Sequence, residues 1–267
     1  MKRFLELMGL ALAVCALGCA QDTTGDRIVV PARNTSHPRV VNCTVLNGSI
    51  TVKTYGGKEV IVEGAGAAAR HQRTGSNGMR RIDMSPRGLE VVEEDNVITV
   101  RNRLNGNEGL VITVPVDTSV RLRSLSGQIN VNGIHGEADV HTLNGHIKLT
   151  DISGTVTADS QNGEIKVTMD SVDQSKPLAL STFNGVVDVT FPPDFKANLT
   201  VKTNHAAVFS DFEVTLGGTR AVSEKSGSPD GTFRIRIDNT IRGTINGGGT
   251  DLAIHTFNGS VYIRKKK

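Results

Sequence analysis

Four residues able to bind metal or move protons fall two apart: His135, Glu137, Asp139 and His141. Residues two apart on a strand share one face, so these four would stand outward in a single row. Imidazole and carboxylate together suit zinc, and carboxylates alone suit calcium. The strand rise separates neighbours in such a row by about 6–7 Å, too far for adjacent positions to chelate an ion alone. The sequence therefore predicts a solvated polar face with no metal site and no cofactor, a weak zinc or calcium site being the alternative. GGGTDLAI (247–254) is similar to the calcium-binding nonapeptide G-G-x-G-x-D-x-U-x. Thr250 takes the place of its fourth glycine, Asp251 falls one place early, and the unit occurs once.

Catalysis on a β-repeat scaffold needs carboxylates, or carboxylates with Lys and Arg, gathered on one face. Asp159, Glu164, Asp170 and Asp188 scatter over different faces in the register derived below. Gly-x-Ser-x-Gly, His-Glu-x-x-His and a phosphate loop are all missing from the sequence. The expectation is a protein that is not an enzyme. Sugar stacking has little to work with, since the chain has no Trp and only Tyr55 and Tyr262. The net charge of +3 is spread out, with neither the basic stripe nor the interleaved aromatics that nucleic acid requires. Arg264 to Lys267 read as a solvated basic tail.

The elements that must position these residues are written in the glycines. Gly127, Gly136, Gly145, Gly154 and Gly163 recur every nine residues, in units LSGQINV, IHGEADV, LNGHIKL, ISGTVTA and QNGEIKV. A short fixed period of strand-sized pieces marks a stacked β-repeat. Alternation predicts that the odd positions of each unit, such as Leu125, Gly127, Ile129 and Val131, face inward. By the same phase Phe183 and Phe257 are core residues. Inward glycine points to a narrow interior or a bend closed to other residues. Ser126-Gly127, Asn144-Gly145 and Asn162-Gly163 recur every 18 residues, so one coil is read as 18 residues holding two strands. Ile129, Ile147 and Ile165 then stack, as do Val131, Leu149 and Val167. Ser126, Asn144 and Asn162 form a polar ladder at the corner, where amides hydrogen-bond along the stack. The register also sets Thr155 and Thr157 below Glu137 and Asp139, and Asp159 below His141.

The fold class is thus all-β: a single elongated, β-helix-like solenoid, less regular in its N-terminal part. Residues 1–19 read as a signal peptide, with basic Lys2 and Arg3 before an apolar stretch too short to span a bilayer. It ends Ala16-Leu17-Gly18-Cys19, similar to a lipoprotein box that would be lipidated at Cys19, except that Ala16 replaces the usual Leu. Ordinary cleavage after Ala20 is the alternative. Cys15 leaves with the signal and Cys43 has no partner, so no disulfide frames the fold; Cys43 reads as a small buried residue. Residues 20–38 read as a tether and 39–267 as the β-repeat domain, most regular at 116–211. Residues 64–81 and 217–231 read as exposed loops, with at most one helical turn at 65–72. A four-residue lengthening near 171–177 sets Asn184-Gly185 22 residues after Asn162-Gly163. Residues 191–211 echo 114–131, with His205 in the place of glycine.

Leu/Phe-Asn-Gly-x-Ile/Val units occur at 46–50, 143–147, 183–187 and 257–261. With Val114-Pro115 ahead of Ser126-Gly127, and Gly247-Gly248-Gly249 before the last unit, they make residues 40–267 resemble the putative-adhesin family of bacterial β-strand-repeat domains. The resemblance implies an exported, β-helix-like domain of the cell envelope and brings no catalytic residues with it. The function expected is non-enzymatic: an envelope-anchored solenoid, periplasmic or on the outer membrane as a lipoprotein, offering strand faces to an envelope protein or surface glycan. A secreted soluble form is the alternative for location. The alternatives for function are a scaffold that self-associates end to end through exposed terminal coils and, less favoured, an enzyme acting on polysaccharide. Contact with the membrane is expected only through a lipid at Cys19, and no nucleic acid partner is expected.

Overall fold

The computed structural model describes residues 27–32, 38–64, 89–102, 109–204, 207–217 and 240–267. The signal segment with Cys19 and Ala20, most of both expected loops, the helical turn at 65–72 and His205 lie outside the described residues. Arg27–Val30 forms β1, Arg39–Asn47 β2, Ile50–Tyr55 β3 and Val60–Gly64 β4. Leu89–Glu94 (β5) and Val97–Asn102 (β6) form a hairpin, followed by Leu110–Pro115 (β7). The regular coils run through Thr118–Ser126 (β8), Ile129–Asn132 (β9), His135–Asn144 (β10), Ile147–Asn162 (β11) and Ile165–Val172 (β12). Leu178–Asn184 (β13), Val187–Phe191 (β14), Ala197–Thr203 (β15) and Val208–Ser210 (β16) come next. Val214–Leu216 (β17), Thr240–Ile245 (β18), Thr250–Asn258 (β19) and Val261–Lys265 (β20) complete the described strands.

The strands stack into two faces of an all-β solenoid. The first face runs β5, β6, β2, β8, β10, the second half of β11, β13, β19, β15, β18 and β17. The second runs β1, β4, β7, β3, β9, the first half of β11, β12, β14, β20 and β16. The central pairings are parallel with an 18-residue offset: Ile129 on Ile147 on Ile165, Val131 on Leu149 on Val167. The longer interval is absorbed at the far corner, so Asn184 still lies on Asn162. Between the faces sits a dry core in which Ile50, Ile129, Ile147, Ile165, Val187 and Val261 form one fully buried row.

Sequence order is broken at both ends. The first coil, β2 and β3, is inserted between β6/β7 and β8/β9. The last, β19 and β20, is inserted between β13/β14 and β15/β16. In each case a strand is straddled. β3 and β4 flank β7, parallel and antiparallel to it, and β18 and β19 flank β15. The turn from β18 to β19 crosses over the start of β15, and this explains the glycine run. Asn246, Gly247 and Gly248 take left-handed φ of 49°, 83° and 90°, and a Cβ on Gly249 would lie 2.5 Å from the Lys196 carbonyl oxygen. Asn246 Nδ2 donates to the Phe195 carbonyl at 2.8 Å and Asn198 Nδ2 to that of Gly249 at 2.8 Å. The segment similar to a calcium nonapeptide is a chain crossing.

Three expectations need correction. Within the segment read as a tether, Arg27–Val30 is a strand, paired antiparallel with β4. The coils at the two ends of the sequence are not the outermost coils. Among the described strands the outermost are β5, β1, β17 and β16, of six, four, three and three residues. The phase of the Asn-Gly units is also different. Leu125 and Phe183 are exposed and Phe257 is half-buried, whereas Ser124, Thr182 and Thr256 face inward. The turn at each Asn-Gly reverses the alternation, so inward residues lie two before and three after each Asn or Ser. Two of the inward hydroxyls bond the neighbouring turn, Ser160 Oγ donating to the Gly145 carbonyl at 3.0 Å and Thr182 Oγ1 to that of Gly163 at 3.0 Å, whereas the Ser124 and Thr142 hydroxyls are buried without a hydrogen-bond partner.

Candidate functional site

The corner explains the ladder and the glycines together. Asn258 Nδ2 donates to Asn184 Oδ1 at 2.9 Å, Asn184 to Asn162 at 3.0 Å, and Asn162 to Asn144 at 3.0 Å. Beside the amides, each glycine N–H donates to the next coil: Gly145 to the Asn162 carbonyl and Gly163 to that of Asn184. The turns stack so closely that a Cβ on Gly145 would lie 2.0 Å from the Gly127 carbonyl oxygen. The interior is not what excludes a side chain there; the neighbouring backbone is.

The phase reversal creates the most distinctive surface of the molecule. Leu46, Leu125, Leu143, Gln161, Phe183 and Phe257 precede the corner residues of successive coils and stand in one outward row. Leu46 is 55%, Leu143 39% and Phe183 49% exposed. The Phe183 and Phe257 rings stack with centroids 4.7 Å apart. Two residues back along each strand runs a polar row, Thr44, Arg123, His141, Asp159, Ser181 and His255. The two rows border a shallow, open cavity of about 520 Å³ whose lining includes Arg123, His141, Asp159, Phe183 and His255.

The quartet expected on this face is there, outward and in the expected register: His141 on Asp159, Glu137 on Thr155, Asp139 on Thr157. Each member has its own partner. His141 Nε2 lies 2.7 Å from Asp139 Oδ1, closer than the strand rise alone suggested, because the side chains lean together. Glu137 pairs with Lys176 and His135 lies 3.9 Å from Asp117. Among the described residues, no three His, Cys, Asp or Glu side chains gather as a metal site would require. The carboxylates Asp170 and Asp188 bind Lys266 Nζ at 2.6 Å and Arg264 Nε at 2.7 Å. Those bonds raise the pKa of both cations. The basic end is therefore tied to the second face, where a solvated tail was expected. There Arg264 also lies over Tyr262, itself stacked on exposed Phe209.

Cys43 is buried, and burial pushes its thiol from about 9 to about 12. It is a core residue, not a reactive one. The neutral thiol is the form the core accepts. Its share of stability is full below the unfolded value and is lost as pH rises through the folded one. Cys43→Val should remove that part of the alkaline loss, read as a smaller drop in urea midpoint between pH 8 and 11.

Sequence reasoning missed the apolar row because it assigned Leu125, Phe183 and Phe257 to the core. The available signal was the Ser or Thr before each of them, since a small hydroxyl residue can take an interior position where a glycine carbonyl of the next turn lies within reach, as it does for Thr182. No curated protein matches the chain. Two solved structures align with most of the chain at low identity. One is a putative cell adhesion protein from Clostridium sporogenes, with TM-score 0.45 and 11% identity, covering 90% of this chain and 99% of that one. The other is a putative adhesin from Bacteroides fragilis, with TM-score 0.37 and 10% identity, covering 90% and 97%. Residues 116–246, which hold the Asn144, Asn162 and Asn184 corners, match the family described as Toastrack DUF4097, and the resemblance to a family of β-strand-repeat domains holds there.

Proposed function

We propose that the chain is an exported, envelope-anchored β-solenoid, lipidated at Cys19, that works without catalysis by presenting its first face to a protein or cell-surface partner, as an adhesin does. The observation that carries this reading is the outward apolar row. Exposed large apolar side chains aligned in one row, interrupted only by Gln161, are costly for a chain that stays alone, and such patches mark contact sites. Here the patch is rimmed by charged and amide side chains, the usual anatomy of an interface.

One set of preparations tests both halves. Leu143→Glu with Phe183→Glu, purified and used to capture partners from native envelope extract, should lose most of what the unaltered chain retains. Lys148→Glu, on the second face, should not. Equal capture by both would reject the first face as the contact surface. Cys19→Ser should move the chain from the membrane to the soluble fraction. Unchanged partitioning would favour cleavage after Ala20.

A further inference from the structure

We propose that the first face pairs with the same face of a second copy of this chain. The inference rests on the contact-surface reading above and names the partner. A closed dimer requires a surface complementary to itself under a half-turn, and the rows of this face meet that requirement in one register.

Consider a two-fold axis parallel to the strands, passing between β10 and the second half of β11. Rotation about it keeps each position along a strand and reverses the order of the coils. β10 then lies over the second half of the partner's β11, β8 over its β13, and β2 over its β19. In the polar row His141 faces the partner's Asp159 and, by symmetry, Asp159 faces the partner's His141. Arg123 faces the partner's Ser181 with the partner's Asp159 one strand away, and Thr44 faces the partner's His255. One row further back, Asp139 faces the partner's Thr157 and Arg121 the partner's Ala179. In the apolar row Leu143 meets the partner's Gln161, Leu125 the partner's Phe183, and Leu46 the partner's Phe257.

Across these six strands no like charges are opposed. The neighbouring registers fail. An axis through β10 sets Asp139 against the partner's Asp139, and one through the second half of β11 sets Asp159 on Asp159 and Arg123 on His255. Opposed like charges in a drying interface select against a register. The one unfavourable pair of the chosen register, Arg101 with the partner's Lys202, lies beyond these six strands on β6 and β15, where Arg101 is exposed beside Glu90 of β5 and water and salt screen it.

The test uses the full chain in detergent. Sedimentation equilibrium at micromolar concentrations should give a dimer. Asp159→Arg sets a cation against the partner's His141 and should weaken the dimer at least about tenfold, the size of one interface hot spot. Lys148→Glu should leave it unchanged, and circular dichroism checks that both variants fold. Mixing chains carrying Leu143→Cys with chains carrying Gln161→Cys should yield, on mild oxidation, a peptide linked between positions 143 and 161. A chain that stays monomeric, a dimer indifferent to Asp159→Arg, or crosslinks only between other positions would overturn the pairing. A monomer whose envelope capture still fails with Leu143→Glu and Phe183→Glu would overturn the pairing alone. A monomer whose capture ignores those changes would overturn the contact-surface reading as well.

Discussion

Gly145→Ala should cost about 3–5 kcal/mol or prevent folding, although it adds one methyl group at a corner facing solvent. The φ of Gly145 is not in the left-handed region, so backbone strain is not the cause. The new Cβ would lie 2.0 Å from the Gly127 carbonyl oxygen and 2.7 Å from its carbon. These are backbone atoms of the next coil, fixed by the Gly127 N–H bond to the Asn144 carbonyl at 3.0 Å. Relief requires the two coils to separate at the corner, which breaks that bond. Gly56→Ala is the control, since nothing lies within 4 Å of a Cβ there. Urea midpoints of the two variants decide the matter. Equal midpoints would mean that the stacked turns can yield, and that another constraint keeps glycine at the corner.

Ile147→Asp should be of similar size for a different reason. Ile147 is 1% exposed and lies in register between Ile129 and Ile165. A carboxylate there has no donor and no counter-ion, and burying an unpaired charge costs several kcal/mol or forces protonation. Lys148→Asp, one residue on, points outward between Asn130 and Lys166. It replaces two stacked lysines by an opposite-charge pair, and its effect should stay within about 0.5 kcal/mol, in the favourable direction. The contrast is read from unfolding midpoints at pH 7. Similar losses in the two variants would contradict the buried and exposed sides of β11.

These two substitutions also mark what the residues made legible. The 18-residue coil could be read because Ser126, Asn144 and Asn162 recur in step with Ile129, Ile147 and Ile165, and only a two-strand coil satisfies both rows. The side on which Leu125 and Phe183 stand was not legible, because strict alternation cannot register a turn that takes up a residue. The interleaving of coils was hidden for a deeper reason. Each coil presents nearly the same inward row, so Ile50 fits against Leu110 or Ile129 equally well, and it lies between them. A repeat states that coils stack, and it leaves open which coil stacks on which. The role of the contact surface was legible only in its charges. His141 over Asp159 followed from the period, while the apolar row beside them depended on the missed reversal.

The straddled strands at the two ends restrict how such a protein can change in length over evolution. An array of like units ordinarily gains or loses members at its termini, where a new unit meets one neighbour. Here the first and last units of the sequence are each enclosed between two others, and the strands outside them run antiparallel. A unit duplicated at either terminus would have no free parallel neighbour to stack on. Growth and loss are confined to the uninterrupted run from β8 to β14, where each coil follows its predecessor in sequence as well as in space. Length variation among relatives should therefore fall in whole 18-residue steps within that run, with both clasped ends kept intact.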